Sequence, residues 1–344
     1  MKKFKTIIKI LGLLLLLVVL FVGFKFAKKY YASYQALESL NNTVLGIAIT
    51  ADDLEASRTL AQGEIQSKRW IDLSEIAPLW KKVTENDVLK SEFEYLNNID
   101  CYAITYKSDS LLVNGIIVEP KREGKFPVII FNRGGNKAVG KDGKLKTLYS
   151  VVQSASILAN EGYVVIASCY REKDEFGGKD LNDVLNLIKT AADLEKGDSE
   201  RIGMFGWSRG GMMTYLALKN TKHIKTAVVG NGPTDLERLI LDRPEMETEV
   251  YAKLIPNYEK NKAKALASRS AIYWTNELDK DASLLILCGT EDQRVNPEQA
   301  ENIAEKLKEI DYNFTLKKFK TDHKFSDQKK ELDTLLIHWF NEKL

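Results

Sequence analysis

From about residue 100 onward, short β-branched and aromatic runs alternate with stretches whose apolar residues recur every three or four positions. The runs are Tyr102–Tyr106, Leu112–Val118, Val128–Phe131, Tyr163–Ala167, Ile202–Phe205, Thr226–Val229, Leu284–Leu287 and Phe314–Phe319. Helical spacing occupies Val151–Asn160, Leu181–Leu194, Gly210–Leu218, Pro297–Ile310 and Asp327–Phe340. Val128–Phe131, Val164–Ala167 and Leu284–Leu287 are continuously apolar, as strands covered on both faces must be. The short Lys107–Ser110 turn makes the first two runs an antiparallel hairpin. From the third run on, strands and helices alternate. The pattern predicts an α/β fold with an eight-stranded, mostly parallel sheet and helices on both faces. Between Gly232 and Ala271 the alternation breaks into a long, charged, helical segment, so an insertion at 233–270 is expected to cover the domain as a lid.

The first 29 residues follow a different pattern. Ile10 to Phe24 is apolar apart from Gly12 and Gly23, and Ile7–Phe24 is just long enough to span a bilayer if Lys9 snorkels. Small residues are badly placed for a cleavage site. The expectation for 1–29 is an uncleaved signal anchor, a single transmembrane helix, with a cleaved secretory leader as the alternative. Lys2, Lys3, Lys5 and Lys9 precede the span and Lys25, Lys28 and Lys29 follow it, which favours a cytoplasmic N-terminus and a body outside. Residues 30–94 read as a helical stalk or as helices packed on the domain that follows, and 95–344 as that domain.

Composition narrows the partners. The 344 residues carry 50 Lys and Arg against 48 Asp and Glu, a formal charge of +2, so there is no electrostatic case for nucleic acid. A hydrophobic share of 44% with only 7 prolines excludes a disordered chain. Three cysteines make neither a disulfide framework nor a zinc site, and Cys169 and Cys288 lie in apolar runs that predict buried thiols.

The chemistry centres on IGMFGWSRGGMM. Gly206-Trp207-Ser208-Arg209-Gly210 is a G-x-S-x-G that ends a strand and opens a helix, the setting of a nucleophile elbow. Glycines on either side allow the tight turn, and the helix N-terminus favours negative charge beside the serine. A base must come from three histidines. His223 precedes a strand, and His338 sits within the amphipathic last helix. His323 lies in the loop KTDHKFSD after the strand Phe314–Phe319, where an α/β sheet presents functional groups. The acid is sought between Ser208 and His323. In LLILCGTEDQRVNP, Asp292 is preferred, with Glu291 as the fallback and Asp322 as a weaker competitor. The order Ser208, Asp292, His323 is that of α/β-hydrolases. Backbone N–H groups of Arg209 and of Gly134 and Gly135, in PVIIFNRGGNK, are the candidate oxyanion hole. Trp207 and Arg133 are candidate substrate contacts.

These motifs resemble the prolyl oligopeptidase family of serine peptidases, over roughly residues 95 to 344. The likeness runs through SDSLLVNGIIVEP, FPVIIFNRGG, GYVVIASCYRE, ERIGMFGWSRGGMMTYLAL, SRSAIYW and LLILCGTEDQRVNPEQA to DHKF. In that family a G-W-S-x-G-G serine, a G-x-x-D-x-x-V-x-P aspartate and an H-x-F histidine form the triad, which implies Ser208, Asp292 and His323. Family peptidases usually carry an N-terminal β-propeller, for which 30–94 is too short. Some also use an oxyanion-hole tyrosine, where this chain has Asn132-Arg133-Gly134-Gly135.

The expectation is a membrane-anchored serine hydrolase that cleaves peptide amide bonds without metal or organic cofactor. Its partners are a peptide or small ester substrate and the membrane. A carboxylesterase or acetylesterase is the runner-up. An inactive, membrane-tethered binding protein is the third reading, opposed by the presence of all three triad candidates. Acyl preference and oligomeric state are not encoded in any pattern found.

Overall fold

The computed structural model describes residues 12, 15–28, 30–31, 35, 45, 49–136 and 143–344. Among these, nine strands form one sheet: β1 Ile65–Ile71, β2 Ile99–Ser108, β3 Leu111–Pro120, β4 Phe126–Asn132, β5 Val164–Ser168, β6 Gly197–Trp207, β7 Thr226–Gly230, β8 Ser283–Gly289 and β9 Phe314–Phe319. Their spatial order is β1-β2-β3-β5-β4-β6-β7-β8-β9. The strands β1, β2, β3 and β5 pair antiparallel in turn, and every pairing from β5 to β9 is parallel. The β2–β3 hairpin is in register from Ile99 opposite Pro120 to Ser108 opposite Leu111, leaving a two-residue turn. Asp109 takes the left-handed backbone there, at φ 55°, as such a turn requires. All eight strands expected from the sequence form, in an α/β-hydrolase-like arrangement.

The period-two alternation of the strands divides the core in two. Ile130, Ile166, Met204, Val229 and Ile286 point to one face, while Ile129, Val165, Phe205, Val228 and Leu285 point to the other. Helices α2 (Asp180–Asp193), α3 (Arg209–Asn220) and α6 (Glu298–Glu309) cover the first face. Helices α1 (Gly143–Ser154) and α7 (Lys329–Lys343) cover the second. α6 shows the local logic. Glu298 and Glu301 sit in its first turn and Lys306 and Lys308 in its last, matching the helix dipole, while Ala300, Ile303, Ala304 and Leu307 form the buried stripe. Cys101, Cys169 and Cys288 are buried thiols, and desolvation pushes Cys101 up to about 12 and Cys288 to about 11.

The segment 30–94 departs from the helical expectation. Its residues 65–71, IQSKRWI, form the edge strand β1, which among the described residues pairs only with β2. Only Ile71 of β1 is buried, so the alternation that marks a half-buried strand is absent and the sequence carries no strand signal there. A short helix, Ala77–Val83, and a two-strand ladder, Thr84–Glu85 with Val88–Leu89, follow. Ile71, Ile76, Leu79, Val83 and Phe93 are buried in the second-face core, so this part packs on the domain and is no free stalk.

The insertion at 233–270 is helical, with α4 (Leu236–Asp242), a π-turn at Glu247–Tyr251 and α5 (Tyr258–Ala267). Leu236, Leu239, Val250, Tyr251, Ile255 and Leu266 extend the first-face core into it. The Gln299 Oε1 of α6 accepts the N–H groups of Thr234 and Asp235 at 2.8 and 2.9 Å and fastens its start.

Of the anticipated N-terminal span, residues 1–11, 13, 14 and 29 lie outside the described residues. Residues 15–28 are helical, and Leu15, Leu16, Leu17, Val18, Val19, Leu20, Phe21, Phe24 and Phe26 are all exposed. Among the described residues no helix is long and apolar enough to cross a membrane.

Candidate active site

Ser208 is the single residue between β6 and α3, at φ 55° and ψ −123°. A non-glycine residue in that region is strained, and such strain persists only where the surroundings enforce it. Two glycines make the turn sterically available. A Cβ on Gly206 would lie 2.1 Å from the Gly210 carbonyl oxygen, and one on Gly210 would lie 1.8 Å from that of Asn132. The serine N–H donates to the Gly230 carbonyl at the end of β7, at 2.8 Å. Arg209 supplies the first N–H of α3, one of the helix-terminal donors without an intrahelical acceptor.

The loop after β4 brings Gly134 to the elbow, while Gly135 lies against the Lys146 side chain. A Cβ on Gly134 would lie 3.1 Å from Ser208 Cβ and 3.8 Å from its Oγ. The next residue, Asn136, donates through Nδ2 to Met246 Sδ at 3.3 Å, so the covering insertion borders this loop.

Asp292 and His323 meet across the ends of β8 and β9. His323 Nδ1 is 2.6 Å from Asp292 Oδ2, and the two side chains are only 8% and 1% exposed. The other carboxylate oxygen accepts the N–H groups of Arg294 and Val295 at 2.7 and 3.1 Å. A carboxylate so bound accepts the Nδ1 proton, leaving Nε2 as the basic atom of the ring. The alternatives are placed elsewhere. Glu291 is exposed. Asp322 is turned back on its own loop, accepting from Lys324 N–H and from the Ser326 N–H and hydroxyl, and those bonds hold its carboxyl below the usual range. His223 is exposed, and His338 is exposed at 3.7 Å from Glu342.

Both candidate substrate contacts are engaged within the protein. The Trp207 indole N–H donates to the His323 carbonyl at 3.0 Å, and its ring meets Phe325 edge-on at 5.1 Å. Trp207 therefore supports the histidine loop. The Arg133 guanidinium is 1% exposed, which removes it from the role of a surface contact for substrate. It donates to Thr147 Oγ1 and to the carbonyls of Gly134 and Cys169, and its desolvation lowers the guanidinium pKa. Its bond to the Gly134 carbonyl steadies the loop instead.

The side chain of Arg209 is structural, a role its place in the elbow motif does not signal. Its guanidinium is buried against Asp174 at 2.7 Å and Asp180 at 2.9 Å, and it lies over the Tyr170 and Phe176 rings. Phe325 was visible only as the last letter of H-x-F. Asp174 and Asp180 carried no local signal, because their partner is distant in sequence.

With this geometry in place, the comparisons decide the family. The prolyl oligopeptidase family matches residues 149–344, more than half of the chain and a span that includes Ser208, Asp292 and His323. The chain belongs to the prolyl oligopeptidase family. An uncharacterised peptidase of Bacillus subtilis, YtmA, is 27% identical over 222 residues, 62% of this chain and 81% of the relative. Among solved structures, the Pyrococcus horikoshii acylaminoacyl peptidase matches with a TM-score of 0.59 and 23% identity, over 74% of this chain. The chain spans 43% of that peptidase's length. A putative dienelactone hydrolase from Klebsiella pneumoniae shares the fold at a TM-score of 0.51 and 18% identity, covering 71% of this chain and 98% of its own. The prolyl oligopeptidase family domain is that of a serine hydrolase.

Proposed function

We propose that this family member cleaves peptide amide bonds through an acyl-enzyme, with Ser208 as nucleophile, His323 as base and Asp292 as the group that orients the base. The observation that carries the proposal is the buried 2.6 Å contact between His323 Nδ1 and Asp292 Oδ2, in a chain whose elbow presents a serine. His323 Nε2 takes the Ser208 hydroxyl proton as Oγ attacks the carbonyl carbon. The N–H groups of Arg209 and of Gly134 or Gly135 receive the developing oxyanion. Asp292 stabilises the imidazolium, which then returns the proton to the leaving amine. Water repeats the sequence in reverse roles and releases the acid.

The test is kcat/KM on matched amides and esters, a prolyl and an alanyl anilide beside short acyl esters, with Ser208→Ala as the blank. Serine-dependent anilide cleavage is the expected result. Ester turnover without amide cleavage would replace the peptidase reading with that of a carboxylesterase. A wild-type chain that reacts with a fluorophosphonate no faster than Ser208→Ala would leave only a binding protein.

We also infer that the N-terminal segment anchors the protein in a membrane with the hydrolase domain outside the cytoplasm. The exposed apolar side chains of residues 15–28 support this, because soluble surfaces rarely show so long an apolar run.

A further inference from the structure

Asn231 follows β7 directly and is 5% exposed, with a left-handed backbone at φ 44°. Asparagine enters that region more readily than most residues, so the conformation alone is tolerable. Its bonding is the unusual feature. The side-chain Oδ1 accepts the Gly289 N–H at 2.8 Å, and Nδ2 donates to the His323 carbonyl at 3.1 Å. The orientation of the amide follows from the partners, since an N–H can only donate and a carbonyl can only accept. Its own N–H donates to the Leu287 carbonyl at 2.9 Å. The carbonyl of the preceding residue, Gly230, accepts the Ser208 N–H at 2.8 Å.

One dipeptide thus touches three loops that are distant in sequence. Gly230 holds the elbow, Asn231 Oδ1 holds the end of β8 where the Asp292 loop begins, and Asn231 Nδ2 holds the peptide of His323. Trp207, beside Ser208, donates to the same His323 carbonyl at 3.0 Å, so both lone pairs of that oxygen are used.

We propose that Asn231 is a positioning residue that locks the nucleophile, acid and base loops in one register; this rests on the triad reading above. No other common side chain fits as well. Aspartate keeps the acceptor but sets a carboxylate oxygen against the His323 carbonyl. Leucine has the volume and neither bond. Without the Nδ2 donor the His323 peptide is held by Trp207 alone and can rotate, and a small displacement of a base from its attack geometry costs rate steeply.

The experiment compares Asn231→Ala and Asn231→Asp with Asn186→Ala. Asn186 is a buried amide in α2 that bonds Ser108 and Gln62, outside the site, and its variant measures the cost of losing a buried amide alone. Turnover on the best substrate of the panel is read together with the downfield proton resonance of His323 Nδ1–H. Both Asn231 variants should lower kcat by roughly tenfold to a hundredfold with KM within about twofold, and should shift or broaden that resonance. Asn186→Ala should leave both unchanged. Asn231 variants with wild-type kcat and an unaltered resonance, or an equal loss in Asn186→Ala, would overturn the proposal. If turnover did not depend on Ser208, the triad reading would fall, and the resonance would still decide whether Asn231 holds His323 against Asp292.

Discussion

The same imidazole has opposite surroundings at His323 and His338. The first is 8% exposed and bound to a buried carboxylate, and the second is 75% exposed beside Glu342. Only the first environment fixes a tautomer and stabilises a transient positive charge. His323→Ala should therefore lower kcat/KM by about a thousandfold or more, and His338→Ala by less than about twofold. Steady-state rates on one substrate check this, and equal losses would remove His323 from its role. The elbow was legible because the turn itself is local: Gly206 and Gly210, whose missing side chains allow it, lie two positions either side of Ser208. Asp292 is already preferred over Glu291 in the sequence, and the structure turns the one carboxylate inward and leaves the other exposed. Arg133 is buried rather than open to substrate, and Trp207 is half-buried with its indole N–H engaged. A polar or aromatic residue near a reactive serine looks available to substrate until its own hydrogen bonds are counted.

Among the elements, strands covered on both faces announced themselves; of the two edge strands, β9 was legible from its place between two helical stretches and β1 was not. β8 is buried at all seven positions, which leaves a continuous apolar run in the sequence, whereas β1 buries only Ile71. Yet the segment that carries β1 contributes to stability through Ile71, Ile76, Leu79, Val83 and Phe93, all in the second-face core. Each such side chain contributes about 1.5–3 kcal/mol on burial, so together they rival the 5–15 kcal/mol stability of a whole domain. Deleting residues 2–94 should consequently give an aggregating product, because it strips that core and bares the edge of β2. Deleting residues 2–31 should give a monodisperse domain with unchanged kcat/KM. Size-exclusion chromatography and thermal unfolding of the two products make the comparison. A stable, active 95–344 fragment would show that the segment merely rests on the surface.

At the scale of the molecule, the hydrolase domain and the apolar N-terminal helix place opposite demands on solvent. The domain buries its apolar faces on both sides of the sheet, while residues 15–28 expose leucines, valines and phenylalanines that no other described residue covers. Water penalises that exposure by about 25 cal/mol for each Å² of apolar surface, and a bilayer removes the penalty. The full chain should therefore sediment with membranes and resist extraction by alkaline carbonate, as an inserted helix does and a peripheral protein does not. The form lacking residues 2–31 should remain in the supernatant with its turnover intact. Orientation is a separate question, since lysines lie on both sides of the apolar run and only their excess before it favours an N-terminus inside. Protease added to cells whose wall has been removed and whose cell membrane is intact should digest the hydrolase domain and abolish serine-dependent turnover. Turnover protected from protease until the cell membrane is lysed would place the domain in the cytoplasm and reverse the orientation, while leaving the chemistry at Ser208 unaffected.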